Sequence, residues 1–314
     1  MKRIIGFSVV VLAVMLFSCQ NEKVDAPQDD YLTEKAAQIT LTEVQVEAAT
    51  TETEYEVEFF ANAEETLTRW WRIGKRFKWT NKMRYMKECP DVTVDEGKND
   101  GYPKTITLDY GKGTELKNGK VLSGKIIMQL TAPRKSKDYT RFVNYENFGI
   151  DTLFIHGSTT SVIDKADSTF RQFTSLLTFT INEETVITRT SERTWHWMEG
   201  MDTEDDQTDD VIHITGWVDA EMDGEQYRKQ IMKDLVRRGD CKYIVDGEVT
   251  VTLNNVVLCM MDYGYGGGEC DEFALLKITG EDEDKEIDLS KRKMKGKGEK
   301  GQKGNGQGNQ NGKG

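Results

Sequence analysis

The sequence predicts a mainly β fold: an antiparallel β-sandwich or strongly curved sheet with an internal duplication, preceded by an N-terminal segment that fits helix or strand. Three observations carry this reading. From Val92 onward, runs rich in Thr, Val, Ile and aromatics recur at a spacing of roughly 8–12 residues. Hairpin signals, Asn118-Gly119 and Asp223-Gly224, separate several of these runs. The stretch Asp-Tyr-Gly-x-Gly occurs twice, at 109–113 and 262–266, each time closing an apolar run and preceding another. About twenty residues before each Asp stands an acid followed by Cys, Glu88-Cys89 and Asp240-Cys241, as a duplicated β unit would place them.

Composition narrows the class. The chain has 314 residues, 37% hydrophobic and 31% charged, enough for one large or two medium domains. The formal net charge of -12 is uneven. The last two dozen residues are strongly basic, so the remainder is more acidic still, which argues against a specific nucleic-acid binder. Only 3 His are present, which leaves little material for a histidine-based metal or acid–base centre.

In chain order, Met1-Lys2-Arg3 and the apolar run Ile4–Phe17 form the n- and h-regions of a secretory signal, too short to span a bilayer. The run ends in Leu16-Phe17-Ser18-Cys19, which resembles a bacterial lipobox and assigns residues 1–18 as a signal peptide and Cys19 as the lipidated residue. Diacylation of the sulfur and acylation of the amine, palmitate-class chains, would bury many methylenes at about 0.8 kcal/mol each and anchor the chain durably. Gln20 follows the cysteine, so the aspartate of an inner-membrane retention signal is missing and the expected place is the outer membrane. Residues 19–35 read as a polar tether. Residues 36–87 hold an ambiguous stretch, where Tyr55, Val57 and Phe59 alternate with Glu54, Glu56 and Glu58 as in a strand. Val44, Ala48 and Ala49 among dense Glu fit a helix equally. A basic-aromatic run follows, Arg69, Trp70, Trp71, Arg72, Lys75, Arg76, Lys78 and Trp79. Such a run offers a surface for polyanions or lipid headgroups, or else packs as an ordinary surface element.

Residues 88–290 make the β-rich domain. Strands are expected at 92–94, 105–109, 123–131, 139–145, 153–156, 173–181, 185–197, 211–222, 225–229, 243–253, 256–261 and 272–279. Ile231, Met232, Leu235 and Val236 have helical spacing, so 226–238 reads alternatively as a short helix. The tail 291–314 is Gly, Lys, Gln and Asn and is expected to be disordered.

Candidate chemistry is sparse. Setting Cys19 aside, the duplication makes Cys89 and Cys241 equivalent, and only the second copy has a cysteine, Cys270, just after its Asp-Tyr-Gly-x-Gly. The expected disulfide is therefore Cys241–Cys270, with Cys89 unpaired and Cys259 inside a strand, and an oxidising envelope compartment permits it. Asp202, Glu204 and Asp206 are spaced as hard oxygen ligands for Ca²⁺. Yet the Gly and the bidentate Glu of an EF-hand loop are missing, so a solvated acidic loop is favoured. No other metal or cofactor is expected. Trp195, His196, Trp197 and Trp217 read as half-buried strand aromatics or a glycan-stacking face. The glycines of Asp-Tyr-Gly-x-Gly, followed by a strand rather than a helix, read as supplying positive φ in a tight turn or bulge and not as a phosphate cradle.

Several motifs in order resemble an uncharacterised family of Bacteroidota cell-envelope lipoproteins with repeated Asp-Tyr-Gly-x-Gly: Cys89-Pro90 before Val92-Thr93-Val94, Tyr102-Pro103, Ser123-Gly124, Trp195 with Glu199-Gly200, Thr215-Gly216, Met261-Asp262-Tyr263-Gly264, Gly268-Glu269-Cys270 and Glu286-Ile287. The resemblance covers about 88–290. It implies an envelope lipoprotein and brings no catalytic residue. Relatives typically carry a cysteine after the first Asp-Tyr-Gly, and its absence here accords with an unpaired Cys89. The expected function is a non-enzymatic, membrane-anchored module that binds or scaffolds an envelope protein or glycan. The alternatives are a polysaccharide hydrolase using Asp/Glu and a polyanion- or lipid-binding surface.

Overall fold

The computed structural model describes residues 27–73, 90–98, 101–116, 119–203, 207–289 and 293–294. A long helix, α1 (Pro27–Asn62), leads into a short one, α2 (Glu64–Arg72). Fourteen strands follow: β1 (Asp91–Gly97), β2 (Gly101–Glu115), β3 (Val121–Leu130), β4 (Thr140–Ile150), β5 (Leu153–Ile163), β6 (Phe170–Ile181), β7 (Thr185–Glu199), β8 (Val211–Met222), β9 (Glu225–Arg238), β10 (Ile244–Leu253), β11 (Val256–Asp262), β12 (Phe273–Ile278), β13 (Lys285–Asp288) and β14 (Lys293–Met294). They form one antiparallel meander in which every strand pairs with its sequence neighbours. The sheet is not closed into a barrel. Of the two expected architectures, the structure is therefore the strongly curved sheet and not the sandwich.

Alternation builds it. In β7, Ile187, Arg189, Arg193, Trp195 and Trp197 are buried, while Thr188, Thr190, Glu192 and Met198 between them are exposed. A one-sided pattern of this kind marks an antiparallel sheet with one wet face. Tight hairpins join the long strands. Asp223-Gly224 between β8 and β9 has both residues at positive φ, 54° and 78°, as a type I′ turn requires. Curvature comes from bulges at which a side chain does not fit. Gly216 in β8 has φ +127°, and a Cβ there would collide with the Glu192 carbonyl oxygen of β7, just where the β8–β9 register slips.

The concave face wraps α1. Ile39, Val44, Val46, Ala49, Val57, Phe60 and Ala61 are all buried, although they point to different sides of the helix. Contacts confirm the enclosure: Thr40 meets Cys259 on β11, Tyr227 on β9 bonds Glu43, Tyr110 on β2 bonds Glu56 and Arg141 on β4 bonds Glu58. The helix thus fills the space that a second sheet fills in a sandwich. Three of its threonines bond within the helix: the hydroxyls of Thr42, Thr50 and Thr53 donate to carbonyls one turn back at 2.7–2.9 Å.

The structure decides or corrects four local expectations. The stretch 36–66 is helical, and α1 reaches back to Pro27, so 27–35 of the expected tether belongs to the helix; proline's fixed φ suits a first helical turn. Residues 226–238 are strand and not helix: Ile231 and Leu235, four apart, share a face in either period, and pairing with β8 on one side and β10 on the other decides for the strand. At the first Asp-Tyr-Gly-x-Gly the bulge holds and not the turn: β2 runs through it, with a register slip at Gly111, whose φ is 61°. At the start of the tail, Lys293 and Met294 pair with β13 and are ordered; the rest of 291–314 lies outside the described residues, as do Asn118 and the signal and tether residues before Pro27.

Candidate functional site: charged clusters between helix and sheet

The interior is charged where helix and sheet meet, and α1 supplies the acids while inward strand positions supply the bases. Glu43 and Glu47, one turn apart, form the first cluster. Arg193 grips Glu47 bidentately, Nη1 and Nη2 donating to Oε1 and Oε2 at 2.9 Å each. Lys229 bonds Glu47 and lies 2.9 Å from Glu43, and Arg189 stands 3.5 and 3.6 Å from the two carboxylates. The Tyr227 hydroxyl donates to Glu43 at 2.7 Å. Burial opposes ionisation of Glu47, but Arg193, Lys229 and Arg189 outweigh it and hold the carboxyl well below its ordinary value.

One residue dominates the second cluster. Glu58 Oε1 accepts from Arg141 Nη2 at 2.6 Å, Arg171 Nη1 lies 3.2 Å from both its oxygens, and Arg134 stands at 3.7 Å. Arg171 and Arg141 are essentially without solvent contact, at 0% and 3% exposure. Arg171 also stacks over the rings of Trp197 and Tyr139, at 4.9 and 5.7 Å. Burial again works against Glu58, and the three guanidiniums reverse the balance and lower its pKa.

Two further helix acids lack such company. Glu56 takes one hydrogen bond, from Tyr110 at 3.0 Å, and burial pushes its carboxyl up to about 8. Glu54 is raised to about 7, chiefly by burial against the pull of Arg193 and Arg237. Glu54 lines a cavity of about 20 Å³ with Arg189, Arg193, Ser175, Ser191 and Tyr145, room for about one water molecule.

Most residues singled out from sequence lie away from this interior. Arg69, Trp70, Trp71 and Arg72 sit on α2, with Trp71 exposed and Arg72 paired to Glu96 on β1 at 2.6 Å. Lys75, Arg76, Lys78, Trp79 and Cys89 lie outside the described residues, as do Cys19, Glu204 and Asp206. Asp202 is exposed, and among the described residues no group of acids, His or Cys is placed to hold a metal. Trp195 and Trp197 face inward and are buried, while His196 between them faces out and stacks on Phe170 at 3.9 Å. Trp217 lies on the outer face under Arg228, at 4.8 Å. Cys241 and Cys270 are joined in a disulfide, and Cys259 is a buried free thiol on β11.

The two Asp-Tyr-Gly copies share one local device. Asp109 and Asp262 each accept a hydrogen bond from the backbone N–H two residues on, at 2.9 Å in both, and each following tyrosine is buried. After Asp262 the chain turns out of β11 toward Cys270; after Asp109 it continues in β2.

Sequence reasoning missed Glu43, Glu47, Glu58, Arg141, Arg171, Arg189, Arg193 and Lys229. One signal was present: Arg189 and Arg193 share the strand parity of Ile187, Trp195 and Trp197, so an inward β7 carries cations on its apolar side.

Among the described residues no helix is long and apolar enough to cross a membrane. Comparison with family models, with curated proteins and with solved structures yields no match.

Proposed function

We propose that the protein is a lipid-anchored binding or scaffolding module of the cell envelope, held to the outer membrane through Cys19. The observation that carries this is the placement of α1. The helix that would follow the anchor is the core of the fold, and only seven residues, 20–26, separate Cys19 from Pro27. Fully extended, the eight Cα–Cα steps between them reach at most about 29 Å. The body would then sit close against the membrane, a geometry suited to holding a partner at the surface. Cys19→Ala is expected to move the protein from the membrane fraction to the soluble fraction; retention in the membrane would remove the anchor.

The hydrolase reading has one observation in its favour, the raised carboxyl of Glu54 beside a cavity. A space of about 20 Å³ admits water and not a sugar ring, and the neighbouring carboxylate Glu47 is tied to Arg193. The binding reading therefore stands ahead, with the outer face of the sheet as its surface. Incubation of the purified protein with envelope polysaccharides separates the two: saturable binding without products supports the module, and turnover abolished by Glu54→Gln supports the enzyme.

A further inference from the structure

We propose that the cluster around Glu58 is a binding site for a small tetrahedral oxyanion of the phosphate or sulfate class. The argument is one of unpaired donors and charge, and it is independent of membrane anchoring.

The site is assembled from successive inward positions at one end of the sheet. Arg141 on β4 stands directly opposite Ser161 on β5, and Arg171 on β6 directly opposite Trp195 on β7. Tyr139 and Arg134 come from the connection between β3 and β4, and Glu58 enters from α1. Each of these side chains holds at least one buried polar atom with no hydrogen-bond partner among the described residues, apart from Glu58 itself. They are Nε of Arg134, Nε and Nη1 of Arg141, Nε and Nη2 of Arg171, the Tyr139 hydroxyl, the Ser161 hydroxyl and Nε1 of Trp195. Buried donors are nearly always satisfied, and each one left unpaired is destabilising. So many in one place call for an acceptor with several oxygens.

Charge points the same way. Arg237 and Asp210 complete the neighbourhood: the Arg237 guanidinium lies 5.3 Å from the Trp195 ring and has an unpaired Nη1, and Asp210 feels both Arg237 and Arg134. Four guanidiniums thus face Glu58 and Asp210, with Glu54 also acting on Arg237, so the cations exceed the carboxylates by at least one. Burying that excess is unfavourable without a counter-anion, which a bound oxyanion supplies. Guanidinium forks and hydroxyls are the donors that match phosphate and sulfate oxygens.

The test uses two variants that remove unpaired hydroxyls, Ser161→Ala and Tyr139→Phe. Protein is unfolded, dialysed free of phosphate and sulfate, and refolded, and ion chromatography of the unfolded sample reads any anion carried through purification. Thermal unfolding is then followed against inorganic phosphate, sulfate and, at matched ionic strength, chloride. Phosphate or sulfate is expected to raise Tm saturably by several degrees, beyond chloride. In anion-free buffer the variants should melt at or above the wild type, since they lose a buried unpaired group. With phosphate they should melt below it, with half-saturation shifted roughly 3–10-fold. A Tm response no larger than that of chloride, with no anion released on unfolding, overturns the proposal. So does an equal phosphate response in wild type and both variants, which would place the ion elsewhere.

Discussion

The same helix presents buried carboxylates to the same sheet in two places, and the two clusters are balanced differently. Around Glu43 and Glu47, two acids meet Arg189, Arg193 and Lys229, with Tyr227 adding a hydroxyl; the Nε of each arginine is left without a hydrogen bond, as is Glu43 Oε2, an acceptor that Lys229 faces at 2.9 Å. Around Glu58, a single acid meets Arg134, Arg141 and Arg171, and five guanidinium nitrogens are left over. The first cluster is a closed network that fixes how the helix sits in the sheet. The second is donor-rich and open to a further partner. Buried ion pairs contribute little net stability when intact, but losing one member is severe because the remaining charges stay buried.

That contrast can be broken in order of effect. Glu58→Gln should be the most damaging, costing about 3–5 kcal/mol in denaturant unfolding, because Arg141 and Arg171 lose the carboxylate they bond and Arg134 the one it faces at 3.7 Å. Phosphate should recover part of this loss if the site takes an oxyanion. Glu47→Gln should cost less, roughly 2–3 kcal/mol, because Glu43 still faces Lys229 and Arg189. If Glu47→Gln proves the more costly, the closed network and not the Glu58 cluster is the principal electrostatic tie.

The smallest effect is in pH. Glu56 and Glu54 have folded pKa values raised to about 8 and about 7, so the folded state holds protons that the unfolded chain releases above about 4.3. Their contribution is present at low pH and is lost as pH rises through 7 and 8. Glu47 and Glu58 run the opposite way, lowered in the fold, and their contribution is lost as pH falls below the ordinary carboxylate range. Tm should therefore be higher near pH 5 than at pH 8 and fall again on further acidification. Glu56→Gln should flatten the slope between 5 and 8 and leave the acid limb unchanged; an unaltered slope would remove Glu56 as its cause.

Legibility in the sequence followed the period of each element. β7 reads directly, since Ile187, Trp195 and Trp197 alternate with polar residues and one face is wet. The pairing of Cys241 with Cys270 was legible from the duplication, because only the second copy has both cysteines. α1 was not legible as one helix. A helix buried on every side shows no apolar stripe, and its Glu residues resemble a solvated face. In 54–59 their alternation with Tyr55, Val57 and Phe59 even imitates a strand.

By itself the sequence determined most of the strands through Ile278, the Asp223-Gly224 hairpin and the disulfide, because these depend on period-two patterning, on turn residues that tolerate positive φ and on cysteines brought near by local pairing. Only the tertiary structure decided that the sheet curls around the chain's own helix and that Glu43, Glu47 and Glu58 face inward. Those facts depend on meetings between residues far apart in sequence, 186 positions for Glu43 and Lys229 and 219 for Thr40 and Cys259. No local pattern encodes them: a glutamate on a helix looks the same in sequence whether water or an arginine lies opposite.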